Sequence, residues 1–271
     1  MRTSLLISLF ILFSFNAFAQ GDLLINPFRV VFEDGKTTEE LTVANTGADT
    51  ASYTISFLQY KMQRDGVLKQ IHEAEEGILF ADRFLRFFPR TITLAPNEAQ
   101  IVRIQSRTPS GLEDAEYRSH LYFRSVVDES PDMGELADTT ALGIQLIPVY
   151  GVSIPVIIRQ GDLEVEASIS DIRFVENEDG SNALEFSVLR EGNMSTFGHI
   201  EIQHVSETGD ETRIGRVNGI AVYTPLSYRK VTVPLRIPEN LNVREGSINI
   251  KYSAMALGRE TIYFEHTFNP D

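Results

Sequence analysis

The sequence of 271 residues contains no cysteine and no tryptophan. The absence of cysteine excludes a disulfide framework, thiolate catalysis and every zinc site that depends on cysteine ligands. Hydrophobic residues make up 42% of the chain, which is enough apolar mass to form packed cores without such cross-links. The composition is therefore that of a folded protein stabilised by burial alone.

Positive charge is also scarce. The chain has 24 Lys and Arg residues against 38 Asp and Glu residues, which gives a formal net charge of −14. A surface of that sign repels phosphate backbones and anionic lipid headgroups. The composition therefore predicts that neither nucleic acid nor a membrane surface is a partner.

A long, almost unbroken apolar run stands at the N-terminus. Arg2 precedes an apolar run over residues 5–15, and Ala17, Phe18 and Ala19 have the small-x-small pattern of a cleavage site. A membrane anchor is the alternative interpretation, but a spanning helix needs about 20 apolar residues. We interpret residues 1–19 as a signal peptide cleaved after Ala19, which predicts an exported protein without a membrane anchor in its mature form.

Apolar and polar residues alternate with period two through much of the remaining chain, for example over residues 53–57, 163–169 and 248–252. This alternation is typical of half-buried strands, because successive strand side chains face opposite ways. Turn residues such as Asn45, Thr46 and Gly47 separate the runs. Short strands at this spacing predict antiparallel sandwiches rather than βαβ units.

The runs fall into two blocks of about seven strands, the size of an immunoglobulin-like sandwich. The division lies at Gln160 and Gly161, and no Gly/Ser-rich or Pro-rich linker separates the blocks. We predict an all-β protein with two immunoglobulin-like β-sandwich domains, over residues 20–160 and 161–271. A short junction indicates that the domains are held at a fixed angle.

Motifs for catalysis or metal binding are not found in the sequence. No Gly-x-Ser-x-Gly elbow and no phosphate-binding loop occur, and the histidines lack the spacing of a zinc site. The histidines are His72, His120, His199, His204 and His266. We predict that the protein is not an enzyme and that it has no cofactor and no metal site.

The segment over residues 141–159 departs from the pattern of short strands. Its 19 residues are apolar on both faces and carry no charge before Arg159. Pro148 and Pro155 cannot donate ladder hydrogen bonds, so they belong at edges, bulges or strand starts. Two interpretations remain open. The segment is either a long strand that bends between two sheets of its own domain, or an apolar edge kept open for a strand of another protein.

Several stretches resemble, in their order and spacing, the periplasmic pilus-assembly chaperones of the PapD-like family. The stretches are residues 26–35, 41–47, 88–104, 116–123 with the long segment that ends at Arg159, and 192–198. The resemblance covers the whole chain after the signal peptide. It implies that the two domains form a boomerang, or L-shaped, arrangement.

The resemblance also implies a function. Chaperones of this family bind pilus or fimbrial subunits that lack a final strand, lend them a strand of their own and deliver them to an outer-membrane usher. Main-chain hydrogen bonds then supply affinity and alternate side chains supply register. The donor residues implied here are Leu142, Ile144, Leu146, Pro148 and Tyr150. A slip of one residue would present the opposite face, so the choice of face stays open.

Arg29 matches the family's cleft arginine, which anchors the C-terminal carboxylate of the subunit. A planar guanidinium suits this task because it can meet a carboxylate with two hydrogen bonds. The family's second cleft cation, a lysine, would fall at Pro155. Either another cation, such as Arg86, Arg90 or Arg124, completes the anchor, or Arg29 acts alone.

Arg159 corresponds to a family residue that ties the two domains together through ion pairs, and Glu116 is its candidate partner for an interdomain ion pair. An alternative function uses the same fold. The protein would then be an exported β-sandwich binding or adhesive module that has no fimbrial client.

Overall fold

The computed structural model describes residues 23–33, 35–126, 149–176, 180–256 and 258–270. In these ranges the regular elements are β-strands and one turn of 3₁₀ helix at Asp82–Phe84. The all-β class predicted from the alternating pattern is thereby confirmed. No helix formed by the described residues is long and apolar enough to cross a membrane.

The chain before Gly161 forms two facing sheets. Their strands are β1 (Leu23–Asn26), β2 (Val30–Phe32), β3 (Thr38–Asn45), β4 (Ala51–Met62), β5 (Leu68–Ile71), β6 (Leu85–Phe88), β7 (Thr91–Leu94), β8 (Ala99–Ser106), β9 (Ala115–Val126) and β10 (Gly151–Gln160). One sheet has the order β1-β3-β8-β6, and the other has the order β2-β10-β9-β4-β5 with β7 also paired to β4. Alternate residues of both sheets, such as Leu41, Val102, Leu121 and Phe123, fill the core between them.

The first strand changes sheets at Arg29. Strand β1 pairs with β3 as far as Asn26, and the next residue, Pro27, has no N–H with which to continue a ladder. Strand β2 then joins the other sheet, where it runs parallel to β10 and Val30 lies opposite Val156. Arg29 therefore stands at the crossing, directly before β2 begins.

Strand β10 has neighbours on both sides along only part of its length. Strand β9 pairs with it from Gly151 to Gln160, whereas β2 pairs with it only at residues 156–158. Beside residues 151–155 no described strand occupies the side on which β2 lies. The last residues of the long apolar segment are thus covered on both sides by their own sheet, whereas residues 151–155 have a described strand on one side only.

The chain after Gly161 forms the second sandwich. Its strands are β11 (Val165–Glu176), β12 (Asn182–Gly192), β13 (Thr196–Val205), β14 (Glu211–Val222), β15 (Tyr228–Pro234), β16 (Ser247–Ala256) and β17 (Arg259–Phe268). The sheet β11-β12-β15 packs on the sheet β14-β13-β16-β17 around Phe186, Ile200, Ile250 and Tyr252. In the described ranges no sheet combines strands from both sides of Gly161.

The two sandwiches contact each other directly. Met62 and Ile157 of the first pack with Ala221 and Tyr223 of the second in a small buried cluster. The hairpin between β4 and β5 also reaches across, since the Lys230 amide donates to the Arg64 carbonyl at 2.7 Å. The second sandwich is therefore fixed to the first by apolar packing and by a backbone hydrogen bond.

Candidate functional site

A cavity of about 1100 Å³ lies between the two sandwiches. Arg29 and Arg159 line it from the first sandwich, and Met194, Phe197 and Tyr263 are among the residues that line it from the second. Among the described residues of its wall, these two arginines are the only Arg or Lys side chains. The cavity thus combines apolar and polar side chains, among them the carboxylates of Glu33 and Glu166, with two cations whose environments differ.

Arg29 is the cation that has no hydrogen-bond partner among the described residues. Its guanidinium carbon lies 4.5 Å from the centre of the Phe197 ring. Its Nε and Nη2 atoms are shielded from solvent and have no hydrogen-bond partner in the part of the chain that the structure describes. Burial lowers the pKa of Arg29 from its ordinary value, because water that would stabilise the charge is excluded. Even so, an arginine stays protonated at neutral pH.

Arg159 is fully paired. Its Nη1 lies 2.8 Å from an oxygen of Glu33, and its Nε lies 3.5 Å from an oxygen of the buried Glu116 carboxylate. The charge of Arg159 is therefore compensated by two carboxylates, whereas no described carboxylate forms an ion pair with Arg29. This difference makes Arg29 the group in the cavity that is chemically suited to bind an anion.

The interdomain ion pair predicted for Arg159 and Glu116 needs correction. The two residues lie opposite each other on β10 and β9, so their ion pair joins two strands of the first sandwich. Ser195 of the second sandwich, instead, links the Glu116 carboxylate to the other domain. Its backbone N–H donates to Glu116 at 3.2 Å, and its hydroxyl donates to the other carboxylate oxygen. The sequence shows a turn at Ser195 but no sign of its distant partner.

A second buried basic cluster lies where the sandwiches meet. The Arg118 guanidinium carbon is 4.0 Å from the centre of the Tyr223 ring, and Nη2 donates to the Tyr60 carbonyl at 3.2 Å. His120 packs edge to face on Tyr60 and Tyr223, and neither ring nitrogen has a partner among the described residues. Burial, and then the charge of Arg118, lower the pKa of His120 to about 3. No role for His120 follows from the sequence, because no local pattern marks its burial.

The cations considered as a second anchor lie elsewhere. Arg86 donates to the Leu85 carbonyl at 2.7 Å and lines a separate cavity on the first sandwich. The Arg90 guanidinium carbon is 5.4 Å from the Phe87 ring, and Arg124 lies opposite Gly151 on β9. None of the three lines the interdomain cavity. Arg29 is therefore its one unpaired Arg or Lys among the described residues.

Most of the predicted donor residues, namely Leu142, Ile144, Leu146 and Pro148, lie outside the described residues. Tyr150 is described and is 67% exposed. Its carbonyl accepts from the Ser125 N–H at 2.9 Å, and its own N–H donates to the Ser125 hydroxyl at 3.0 Å. The backbone of Tyr150 thus faces β9.

The orientation of Tyr150 determines which backbone groups face the open edge. In an antiparallel pair, the hydrogen-bonding groups of successive residues point to opposite sides. Gly151 and Ser153 therefore direct both N–H and C=O away from β9, while Pro155 presents only a carbonyl. The side chain of Ile154, which shares its alternation with Tyr150, is buried in the core. The open edge consequently offers backbone groups that no described strand pairs, beside an ordinary packed sheet.

No protein-family model matches the sequence, and no curated protein matches it. Several solved structures of fimbrial chaperones are similar in fold. The YadV chaperone is 10% identical and aligns over 92% of this chain and 100% of its own, with a TM-score of 0.46. The CupB2 chaperone of Pseudomonas aeruginosa is 15% identical over 90% of this chain and 98% of its own, with a TM-score of 0.45.

A third similar structure contains a client. It is a CsuC–CsuE chaperone-tip adhesion subunit pre-assembly complex from archaic Csu pili of Acinetobacter baumannii. The chain matched in that complex is 12% identical, covers 90% of this chain and 98% of its own, and has a TM-score of 0.43.

Proposed function

We propose that this protein is a periplasmic chaperone that binds pilus or fimbrial subunits by strand addition along the open edge of β10. In this proposal Arg29 receives the C-terminal carboxylate of the added strand. The observation that carries the proposal is the position of one buried, unpaired guanidinium at the end of an open strand edge. The signal peptide predicts export, and delivery to an outer-membrane usher would be the next step.

The sheet itself favours one direction for the added strand. Strand β2 lies along the same edge of β10, beside residues 156–158. It runs parallel to β10 and starts at Val30. A strand added beside residues 151–155 must therefore end or begin next to Arg29. A parallel strand would bring its C-terminal carboxylate to Arg29, whereas an antiparallel strand would bring a positively charged N-terminus. Like charges repel, so Arg29 selects the parallel direction.

The chemistry of Arg29 fits a chain terminus. Its Nε–H and one Nη2–H point outward from the same edge of the planar guanidinium, at a spacing that matches the two oxygens of a carboxylate. A hydrogen bond to a charged group contributes about 1.5–3 kcal/mol when it replaces an unsatisfied buried donor. Binding of a carboxylate would thus compensate a cost that is already present in the free protein.

The remaining affinity would come from the edge. Gly151 and Ser153 can each exchange main-chain hydrogen bonds with a neighbour, and these bonds do not depend on the sequence of the partner. Side chains of the predicted donor segment, which share the alternation of Tyr150, would supply register. The proposal therefore separates a general backbone contact from a fixed end point at Arg29.

Co-expression with a fimbrial subunit that lacks its final strand tests the proposal. We expect a one-to-one complex in periplasmic extracts and protection of the subunit from proteolysis. Arg29→Glu should abolish the complex, and Arg124→Glu, which changes an arginine outside the cavity, should preserve it. If the subunit is degraded equally with and without the protein, the chaperone function is wrong and the adhesive module remains.

A further inference from the structure

The Arg29 guanidinium is held by a residue of the other sandwich. Phe197 lies near the start of β13, and its ring centre is 4.5 Å from the guanidinium carbon. The Phe197 ring also contacts Phe28, with 6.1 Å between ring centroids, and its backbone N–H lies 3.4 Å from the Tyr263 hydroxyl. The Phe197 ring therefore packs against Phe28 and lies over the cation, while its backbone is hydrogen-bonded to Tyr263.

The contact with Phe197 explains how the buried Arg29 side chain is held in place. A long, flexible arginine without a counter-ion would ordinarily turn its charged end towards water. The face of an aromatic ring attracts a cation, by about 0.5–2 kcal/mol depending on solvent exclusion. A cation–ring contact also uses no hydrogen-bond acceptor, and the Arg29 Nε and Nη2 atoms have no such partner among the described residues. The ring thus restrains the cation while these two donors remain available.

We propose that Phe197 is a positioning residue for Arg29, so that the second sandwich takes part in carboxylate capture. This inference rests on the proposed function. Phe197 does not bind the carboxylate. It fixes the plane of the guanidinium, so that less side-chain freedom is lost when the carboxylate arrives.

Strand β13, which carries Phe197, follows directly after Ser195, whose hydrogen bonds link the two domains. Ser195 stands two residues before Phe197 and binds the buried Glu116 carboxylate. The junction between the sandwiches and the ring on Arg29 are therefore parts of one continuous segment. Any change in the angle between the domains would move the ring relative to the cation.

Space filling by Phe197 is the alternative explanation, and ring electronics separate it from positioning. Fluorination of phenylalanine weakens the attraction of the ring for a cation and changes its size only slightly. Phe197→Leu removes the ring, and Phe197→Tyr keeps it. A positioning role predicts that affinity follows the charge distribution of the ring, whereas a packing role predicts that it follows volume.

The first measurement concerns the free protein. In nuclear magnetic resonance spectra with isotope-labelled arginine, the Arg29 Nε–H resonance is identified by its loss in Arg29→Lys. A stacked ring shifts this resonance through its ring current. We expect the shift to disappear in Phe197→Leu and to persist in Phe197→Tyr. An unchanged resonance in Phe197→Leu would overturn the inference, whatever the client is.

The second measurement uses a dansyl-labelled peptide of alternating valine and threonine that ends in a free carboxylate, together with its C-terminal amide. We expect the wild-type protein to bind the acid more tightly than the amide. Phe197→Leu should weaken binding of the acid about 2- to 30-fold and leave binding of the amide unchanged. Trifluorophenylalanine at position 197 should behave like leucine, and tyrosine should behave like the wild type.

The outcomes distinguish the two proposals. If the wild-type protein does not bind the acid, or binds acid and amide equally, carboxylate capture at Arg29 is wrong. If it prefers the acid but the leucine and trifluorophenylalanine variants bind it equally well, capture stands and the role of Phe197 is overturned. Far-ultraviolet circular dichroism of each variant confirms that both sandwiches remain folded.

Discussion

The buried carboxylate of Glu116 in the first sandwich accepts hydrogen bonds from the amide and the hydroxyl of Ser195 in the second. Arg159 approaches the same carboxylate from its neighbouring strand at 3.5 Å. One buried anion is therefore satisfied from two sides, by a strand of its own domain and by a turn of the other. This arrangement holds the wall that carries Phe197 against the wall that carries Arg29.

Ser195→Ala tests this junction. Loss of the hydroxyl leaves one oxygen of a buried carboxylate without its donor, which should lower the free energy of unfolding by about 1–3 kcal/mol. Urea denaturation measures the effect, and Ser110→Ala, an exposed serine, is the matched control. Equal midpoints for the two variants would show that the Ser195 hydroxyl contributes no stability.

The two arginines of the cavity should respond in opposite ways to the same substitution. Arg29→Met removes a desolvated charge that has no partner, so we expect the free protein to become more stable by about 1 kcal/mol. Arg159→Met leaves Glu116 and Glu33 without their cation, so we expect a loss of about 2 kcal/mol. Urea denaturation of the free protein measures both changes in the free energy of unfolding. A loss of stability in Arg29→Met would contradict the description of Arg29 as unpaired.

The open edge of β10 can be tested through its backbone. Ser153→Pro removes an N–H that faces away from β9, so it should abolish subunit capture while it changes the stability of the free protein little. Val152→Pro removes an N–H that faces β9 and should destabilise the fold by about 1–3 kcal/mol. Complex formation is measured by size-exclusion chromatography. Capture that survives in Ser153→Pro would place the added strand elsewhere.

His120 should make the protein less stable in mild acid. Its pKa is about 3 in the folded protein, against 6.5 for a free histidine. The unfolded chain therefore binds a proton as the pH falls below 6.5, while the folded chain does not until the pH approaches 3. The contribution of neutral His120 is complete above pH 6.5 and declines below it, by about 1.4 kcal/mol per pH unit.

A comparison of variants separates the effect of His120 on stability from that of other titrating groups. The free energy of unfolding is measured between pH 7 and pH 5 for the wild type, His120→Phe and His120→Gln. We expect both variants to show a smaller decline than the wild type, because neither carries the titrating ring. Parallel curves would mean that His120 is protonated equally in the folded and unfolded chains.

Local sequence patterns were sufficient to predict much of the structure of this protein. Alternation with period two identified the strands, because each strand side chain points away from its neighbours whatever the rest of the fold does. The absence of a flexible linker at Gln160 and Gly161 predicted packed domains, and Met62 and Tyr223 do pack across the boundary. The uncharged segment before Arg159 left two interpretations open, and β10 has a described neighbour on one side only over residues 151–155.

Tertiary structure alone decided which charges are paired. Arg29 and Arg159 are equally charged in the sequence, but Glu33 and Glu116 reach only Arg159, and Phe197 covers only Arg29. Ser195 and Glu116 are 79 residues apart in the chain, and no local pattern connects them. Charge and alternation are properties of the residues themselves. Desolvation and ion pairing arise only when distant strands pack together. The role of each cation therefore follows from its neighbours in the fold.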